Sequence, residues 1–215
     1  MTKMVDLAAL VSKGLGDPSN VSFDLEEDIY PWLAEADKTI LNFRPDANTT
    51  STVITTVAGS KQSIPEGHIR LIDVPCNIHP SSGAELRDVT LKPRGELSPG
   101  WRTIAQVDIV ENYMFDDRNP TEFEVFPPVA VGRKLRVVTC VGFEDYGTIS
   151  DSTESQLDQV YDPAKIEWAL YRGFTRDNSP NRARGYDHLR NFYQLLGVKA
   201  NRDLEASPKR EHQDK

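Results

Sequence analysis

Four histidines, two cysteines and many carboxylates are the side chains able to do chemistry in this chain. His68, His79, His188 and His212 show no HExxH or other close metal spacing. His68 and His79 stand eleven residues apart on different elements, so a shared metal is not expected. Cys76 and Cys140 are too few for a disulfide framework or a four-ligand zinc site. Cys140 lies in a strand-like apolar run, which favours burial over nucleophilic work. Asp116 and Asp117 form the tempting carboxylate pair, but FDDRNPTEF sets Asp, Asn and Pro where a hairpin turn wants them. The stretch from Asp17, DPSNVSFDLEED, lacks the calcium-loop pattern, because Val21 and Ser22 replace an oxygen ligand and the glycine. Nucleophile elbows, phosphate loops and dinucleotide fingerprints are absent from the sequence. Trp32, Trp101 and Trp168, with Tyr113 and Tyr186, could line a sugar platform. Trp32 and Trp168 fall on helices, however, and read better as core or interface anchors. No catalytic residue, metal or cofactor is expected, and the chain does not read as an enzyme.

The elements that carry these residues follow from hydrophobic period. Met4, Leu7, Ala8 and Val11 make one stripe of a helix over Thr2 to Lys13, with Gly14 and Gly16 as stops. Ile29, Trp32, Leu33, Ala36, Ile40 and Leu41 mark a second helix, with acids crowding its positive end in DLEED. Pro31 fits its first turn, or kinks it if the helix starts as early as Leu25. From Asn48 the period becomes two. Strands are expected at Thr50 to Val57, KQSIP, His68 to Val74, Ala84 to Leu91 and Thr103 to Ile109. A hairpin turning through Asp116 to Pro120 and a long strand from Lys134 to Phe143 complete the block. Helix returns after Asp162, a candidate N-cap followed by Pro163. A final helix starts near Pro180, carries Leu189, Phe192, Tyr193 and Leu196 on one face, and is expected to stop at Gly197.

The resulting class is α+β. A helical bundle, built from the N-terminal helix and two C-terminal helices over residues 1–48 and 144–198, receives an inserted antiparallel β sandwich or barrel-like domain at 49–143. Residues 199–215 are expected as an extended or disordered tail, since only Ala200, Leu204 and Ala206 are apolar there.

The 215 residues carry a formal charge of −8, which argues against general nucleic-acid binding. The charge is uneven. Val137 to Ala164 has no Lys or Arg but holds Glu144, Asp145, Asp151, Glu154, Asp158 and Asp162. Lys165 to Arg202 sets eight basic residues against three acids, a balance of +5 that leaves −13 for the rest. A basic helical end on an acidic body suits a charged partner surface or a solvated face. No stretch is long and apolar enough for a membrane span, and the N-terminus does not read as a secretion signal.

Three segments, in order, resemble the phage adaptor family, the head-to-tail connectors of short-tailed bacteriophages, similar in role to tail tubular protein A. The first is WLAEADKTILNFRPDANTTSTVITTVAGSKQSIPEGHIRLIDV, Trp32 to Val74. The second is PGWRTIAQ followed by YMFDDRNPTEFEVFPPV. The third is EWALYRGFTRD, a second helix to Tyr193 and a ragged polar tail containing ASP. The resemblance spans about Leu25 to Pro208, and Pro31 and the His79-Pro80-Ser81-Ser82 loop depart from it.

It implies a dodecameric ring bound beneath the portal protein, assembled in the host cytoplasm and lodged in the virion neck. Genomic DNA would pass through its channel without sequence-specific binding, and its lower face would receive the tail nozzle. An acidic body suits such a conduit, because a basic wall would hold the DNA it must release. Within the tail, Arg202, Asp203, Leu204 and Glu205 are the expected portal contact, with Leu204 as the apolar anchor. No membrane partner is expected. The competing readings are a decoration or tail-completion protein of the same particle, and a carbohydrate-binding module or hydrolase.

Overall fold

The structure, a computed structural model, describes residues 2–176 and 181–206, with side chains to Gly197. The chain divides into two compact units, one drawn from Met1–Ala47 and Phe143–Lys215, the other Asn48–Gly142. Each junction lies one residue before the expected one.

In the first unit, helix α1 (Met4–Leu15) buries Met4, Leu7, Ala8 and Val11, the stripe its period demands. Only Gly16 ends it, in the left-handed conformation at φ 76°. Gly14 stays inside the helix for a different reason. A Cβ there would lie 2.7 Å from Leu170 Cδ2, so the missing side chain lets α1 approach its neighbour. At Pro31 the first-turn alternative holds. Leu25–Ile29 forms one wide π-helical turn, capped by Asp24, whose carboxylate accepts from Glu26 N (2.7 Å) and Glu27 N (2.9 Å). Helix α2 (Tyr30–Phe43) then proceeds with Pro31 in its first turn.

Helix α3 (Asp162–Thr175) is preceded by a short turn, Gln159–Tyr161, capped by Asp158. Asp162 is therefore not the cap but the first helical residue, because its carboxylate is drawn into an internal ion pair. Helix α4 (Arg182–Ala206) packs on α3 through Phe192 and Leu196. It does not stop at Gly197. A glycine inside a helix costs only about 1 kcal/mol, and the following VKANRDLEA contains good helix formers. Residues 199–206 are thus helical rather than extended, and 207–215 lie outside the described residues. The N-terminal segment is tied to the same unit by a two-way backbone exchange, Met4 N to Thr153 O and Ser155 N to Thr2 O, each 2.9 Å.

The second unit holds eight strands: β1 (Thr49–Thr55), β2 (Gly59–Ser63), β3 (His68–Ile78), β4 (Glu85–Asp88), β5 (Thr90–Leu91), β6 (Asn112–Phe115), β7 (Glu122–Val129) and β8 (Lys134–Val141). They form two four-stranded sheets, ordered β1-β8-β3-β4 and β2-β7-β6-β5. Pairing is antiparallel except for β5 with β6. Leu71, Val74, Leu135 and Val137 of the first sheet meet Tyr113, Phe123, Val125 and Val129 of the second in one core. The unit is an open sandwich and not a barrel.

Two expected strands differ. Ala84 to Leu91 breaks at fully buried Val89, which carries the chain from one sheet to the other. Thr103 to Ile109 makes only an isolated bridge, Val107 to Val129. Here Trp101 is buried and Arg102 is clamped to Glu124, so side-chain anchoring replaces a backbone ladder.

Candidate functional site

The residues nominated for chemistry are dispersed into structural roles. His68 shares a 2.6 Å hydrogen bond with Thr139 at one end of β3, and His79 accepts from Ser82 N (3.1 Å) just past the other end. His188 pairs with Glu167 at 2.8 Å and stacks on Phe174. His212 lies outside the described residues. Both cysteines are buried thiols that form no disulfide with each other. Asp116 accepts from Arg118 N and caps its turn, while exposed Asp117 pairs with Arg70. Asp17 accepts from the N–H groups of Val21, Ser22 and Phe23. These bonds, Val21's first, hold its carboxyl below the usual range. Trp32 sits in the helical core, Trp168 packs with Tyr171 and Phe192, and Trp101 is buried beneath Arg102, so they build no shared platform. Among the described residues no group of His, Cys, Asp or Glu is placed to hold a metal, and no helix is long and apolar enough to cross a membrane.

What the sequence reading missed is a buried ionic knot in the helical unit. Lys165 is fully buried, its ammonium 3.3 Å from Asp162 and 3.4 Å from Asp37, and it donates to Ser155. Tyr146 donates to the other Asp37 oxygen, and Thr2 donates to Asp162. Burial pushes the Asp37 carboxyl up, opposed chiefly by Lys165, and pushes the Tyr146 phenol up as well. The knot joins α2, α3, the N-terminal segment and the 144–157 loop. Its signal was present in the pattern. Asp37 stands on the apolar stripe beside Leu33, Ala36 and Ile40, where a carboxylate needs a buried partner.

Among the described residues, two exposed features of the helical unit bear on partners. The first is a ridge on α4. Arg182, Tyr186, Arg190 and Tyr193 follow at i, i+4, i+8 and i+11, about a quarter-turn round the helix from the face that buries Gly185, Phe192 and Leu196. Tyr186 and Tyr193 are 48% and 46% exposed. Each rests one edge on a neighbour, Tyr186 against Tyr171 and Tyr193 against Phe43 and Phe192. Arg190 pairs with exposed Asp187, one turn away at 3.2 Å.

Leu196 is the last buried side chain described on this helix, and its carbonyl accepts from Arg44 at 3.4 Å. The backbone continues as helix to Ala206, roughly 15 Å further at 1.5 Å per residue. Arg202, Asp203, Leu204 and Glu205 lie in this continuation.

The second feature is a cleft of about 340 Å³ at the start of α2, lined by Glu26, Tyr30, Pro31, Ala34, Tyr146 and Ile149. The phenol of Tyr30 is pushed up by burial first and then by the charges of Asp151 and Glu26, so both carboxylates bear on it. Both are exposed, and neither has a cationic partner among the described residues.

Compared with known families, residues 2–211 match the model of the SU10 adaptor protein, across both units. No curated protein matches the chain.

Proposed function

The chain belongs to the SU10 adaptor protein family, and on that premise we propose that this phage structural adaptor is the head-to-tail connector of a short-tailed virion. Copies form a ring, dodecameric in number, that sits between the portal protein and the tail nozzle. DNA leaves through its channel without sequence-specific contact. The ring is put together in the host cytoplasm and ends in the virion neck.

The observation that carries the reading is the family match over residues 2–211, with α4, a 25-residue helix, as the element that holds the expected portal contact. Its final turns hold Arg202, Asp203, Leu204 and Glu205, which we assign as the portal contact, with Leu204 as the apolar anchor between charged neighbours. The acidic charge of the remaining chain supports a conduit that does not retain DNA.

The test is to mix the protein with purified portal rings and follow mass by light scattering and shape by negative-stain imaging. A defined extra layer on the portal is expected. Deleting Lys199 to Lys215 abolishes the layer and leaves thermal unfolding unchanged. A portal peak that ignores the intact protein contradicts the proposal.

A further inference from the structure

Lys165 of α3 and Asp37 of α2 are placed as reactants as well as ions. Both side chains are sealed from water, with the ammonium 3.4 Å from Asp37 Oδ1. We infer that this pair condenses into an isopeptide bond, Lys165 Nζ to Asp37 Cγ, with Asp162 as the carboxylate that moves the proton. The newly folded chain holds the ion pair, and the amide accumulates from it.

The knot supplies each group the reaction needs. Tyr146 donates to Asp37 Oδ2, and Gln156 N donates to the Tyr146 oxygen at 3.0 Å, which fixes the phenol in place. Among the described residues, Oδ1 faces the ammonium without a hydrogen bond, so one carboxyl oxygen is gripped and the other is free to leave. Asp162 Oδ1 lies 3.3 Å from the same nitrogen, and Thr2 holds its second oxygen. Moving one proton from Lys165 to Asp37 turns two buried ions into a neutral amine and a neutral acid, a change that a dry interior favours. The amine then attacks Cγ. Negative charge gathers on Oδ2, where Tyr146 donates as an oxyanion hole does. Asp162 takes a proton from the nitrogen and passes it to the Oδ1 hydroxyl. The Cγ–Oδ1 bond breaks, one water leaves, and an ammonium and a carboxylate have become a neutral amide. Nothing is oxidised or reduced, and no co-reactant is consumed. Burial holds the pair in contact and keeps out competing water. The bond locks α2 to α3, which come from the two separate stretches of the helical unit.

Mass spectrometry of the full chain tests it. Through a time course at growth temperature, the intact mass should fall by one water. Trypsin should then fail to cut after Lys165 and release residues 14–38 joined to residues 137–172. Asp162→Asn and Tyr146→Phe keep both reactants, and each should slow the loss of water about 100-fold. Circular dichroism checks that they fold.

An intact mass that never falls overturns the bond. So does a lost water with residues 14–38 and 137–165 still released apart. The wild type alone decides this, whether or not the variants fold. Folded variants that lose water at the wild-type rate overturn the roles given to Asp162 and Tyr146.

Discussion

The two units handle buried charge in opposite ways. In the helical unit a whole ammonium, that of Lys165, is sealed inside with Asp37 and Asp162. In the β unit the corresponding cluster is centred on a carboxylate, with its cations half in water. Glu124 accepts from Arg102 in a two-pronged pair at 2.9 and 3.0 Å and from Arg94 at 2.8 Å. Arg102 also lies 4.4 Å over the Trp101 ring. The contrast follows from connectivity. The β unit is one continuous stretch whose sheets are aligned by backbone ladders, and its clamp only fastens the irregular segment around Trp101. The helical unit is assembled from distant parts of the chain, and helices slide against one another more readily than paired strands. A buried ionic knot penalises every wrong alignment, because any slip strands a charge. We read the knot as the device that fixes how α2, α3 and the 144–157 loop meet, and therefore the shape of the cleft that Tyr146 lines.

The contrast breaks most visibly at Lys165. Lys165→Met leaves the buried carboxylate of Asp37 and the partly buried one of Asp162 without their cation and should cost about 3–5 kcal/mol. Urea unfolding followed by fluorescence checks this, with Trp32 and Trp168 as reporters in the helical unit and Trp101 in the β unit. The helical reporters should move to lower urea while Trp101 holds its midpoint. Adding Asp37→Asn should recover part of the loss, since one stranded charge is then gone.

Glu124→Gln is the matching cut in the β unit. Its partners are about half exposed, so solvent already weakens the pair, and a smaller loss of about 1–2 kcal/mol is expected. It should appear in the Trp101 signal alone.

Acid titration sharpens the comparison further, because the two carboxyls have opposite signs. Burial raises Glu124, but Arg102 and Arg94 more than reverse this and hold it below its ordinary value. Its contribution is therefore present above the ordinary glutamate range and lost as pH falls through the depressed value. Asp37 is raised, so its contribution is present below the ordinary aspartate range and lost as pH rises through the raised value. The stability gap between wild type and Glu124→Gln should shrink on acidification. The gap between wild type and Asp37→Asn should shift in favour of wild type over the same change. Urea midpoints measured at several pH values read both.

Smallest of all for the fold is Arg190→Glu, on the exposed ridge, which should change stability by no more than about 0.5 kcal/mol.

Much of this architecture is legible in the sequence, and the misses have physical reasons. The stripes of α1 and α2 and the alternation of β1, β3 and β8 specify those elements locally, since each buries one face. At Val89 the alternation slips phase: Asp88 falls in the apolar slot after Leu86, and Val89 and Leu91 restart the pattern where the chain changes sheets. Thr103 to Ile109 also alternates, but the tertiary hold of Trp101 and Arg102 outweighs strand propensity there. Gly14 resembles a helix stop and is a packing notch under Leu170, which only the neighbouring helix can reveal. Gly197 resembles a stop too, and favourable residues beyond it carry α4 onward. Of the candidate site, the basic helix and acidic segment could be read from composition. The cleft could not, because Tyr30 and Tyr146 are far apart in the chain and meet only through the knot beneath them.

The most direct measurement of the central claim is cryo-electron microscopy of the assembled virion. The account predicts a ring of this chain in the neck, between portal and tail, with the end of α4 against the portal. Density for the chain on the capsid shell or at the tail tip, with none in the neck, would contradict it.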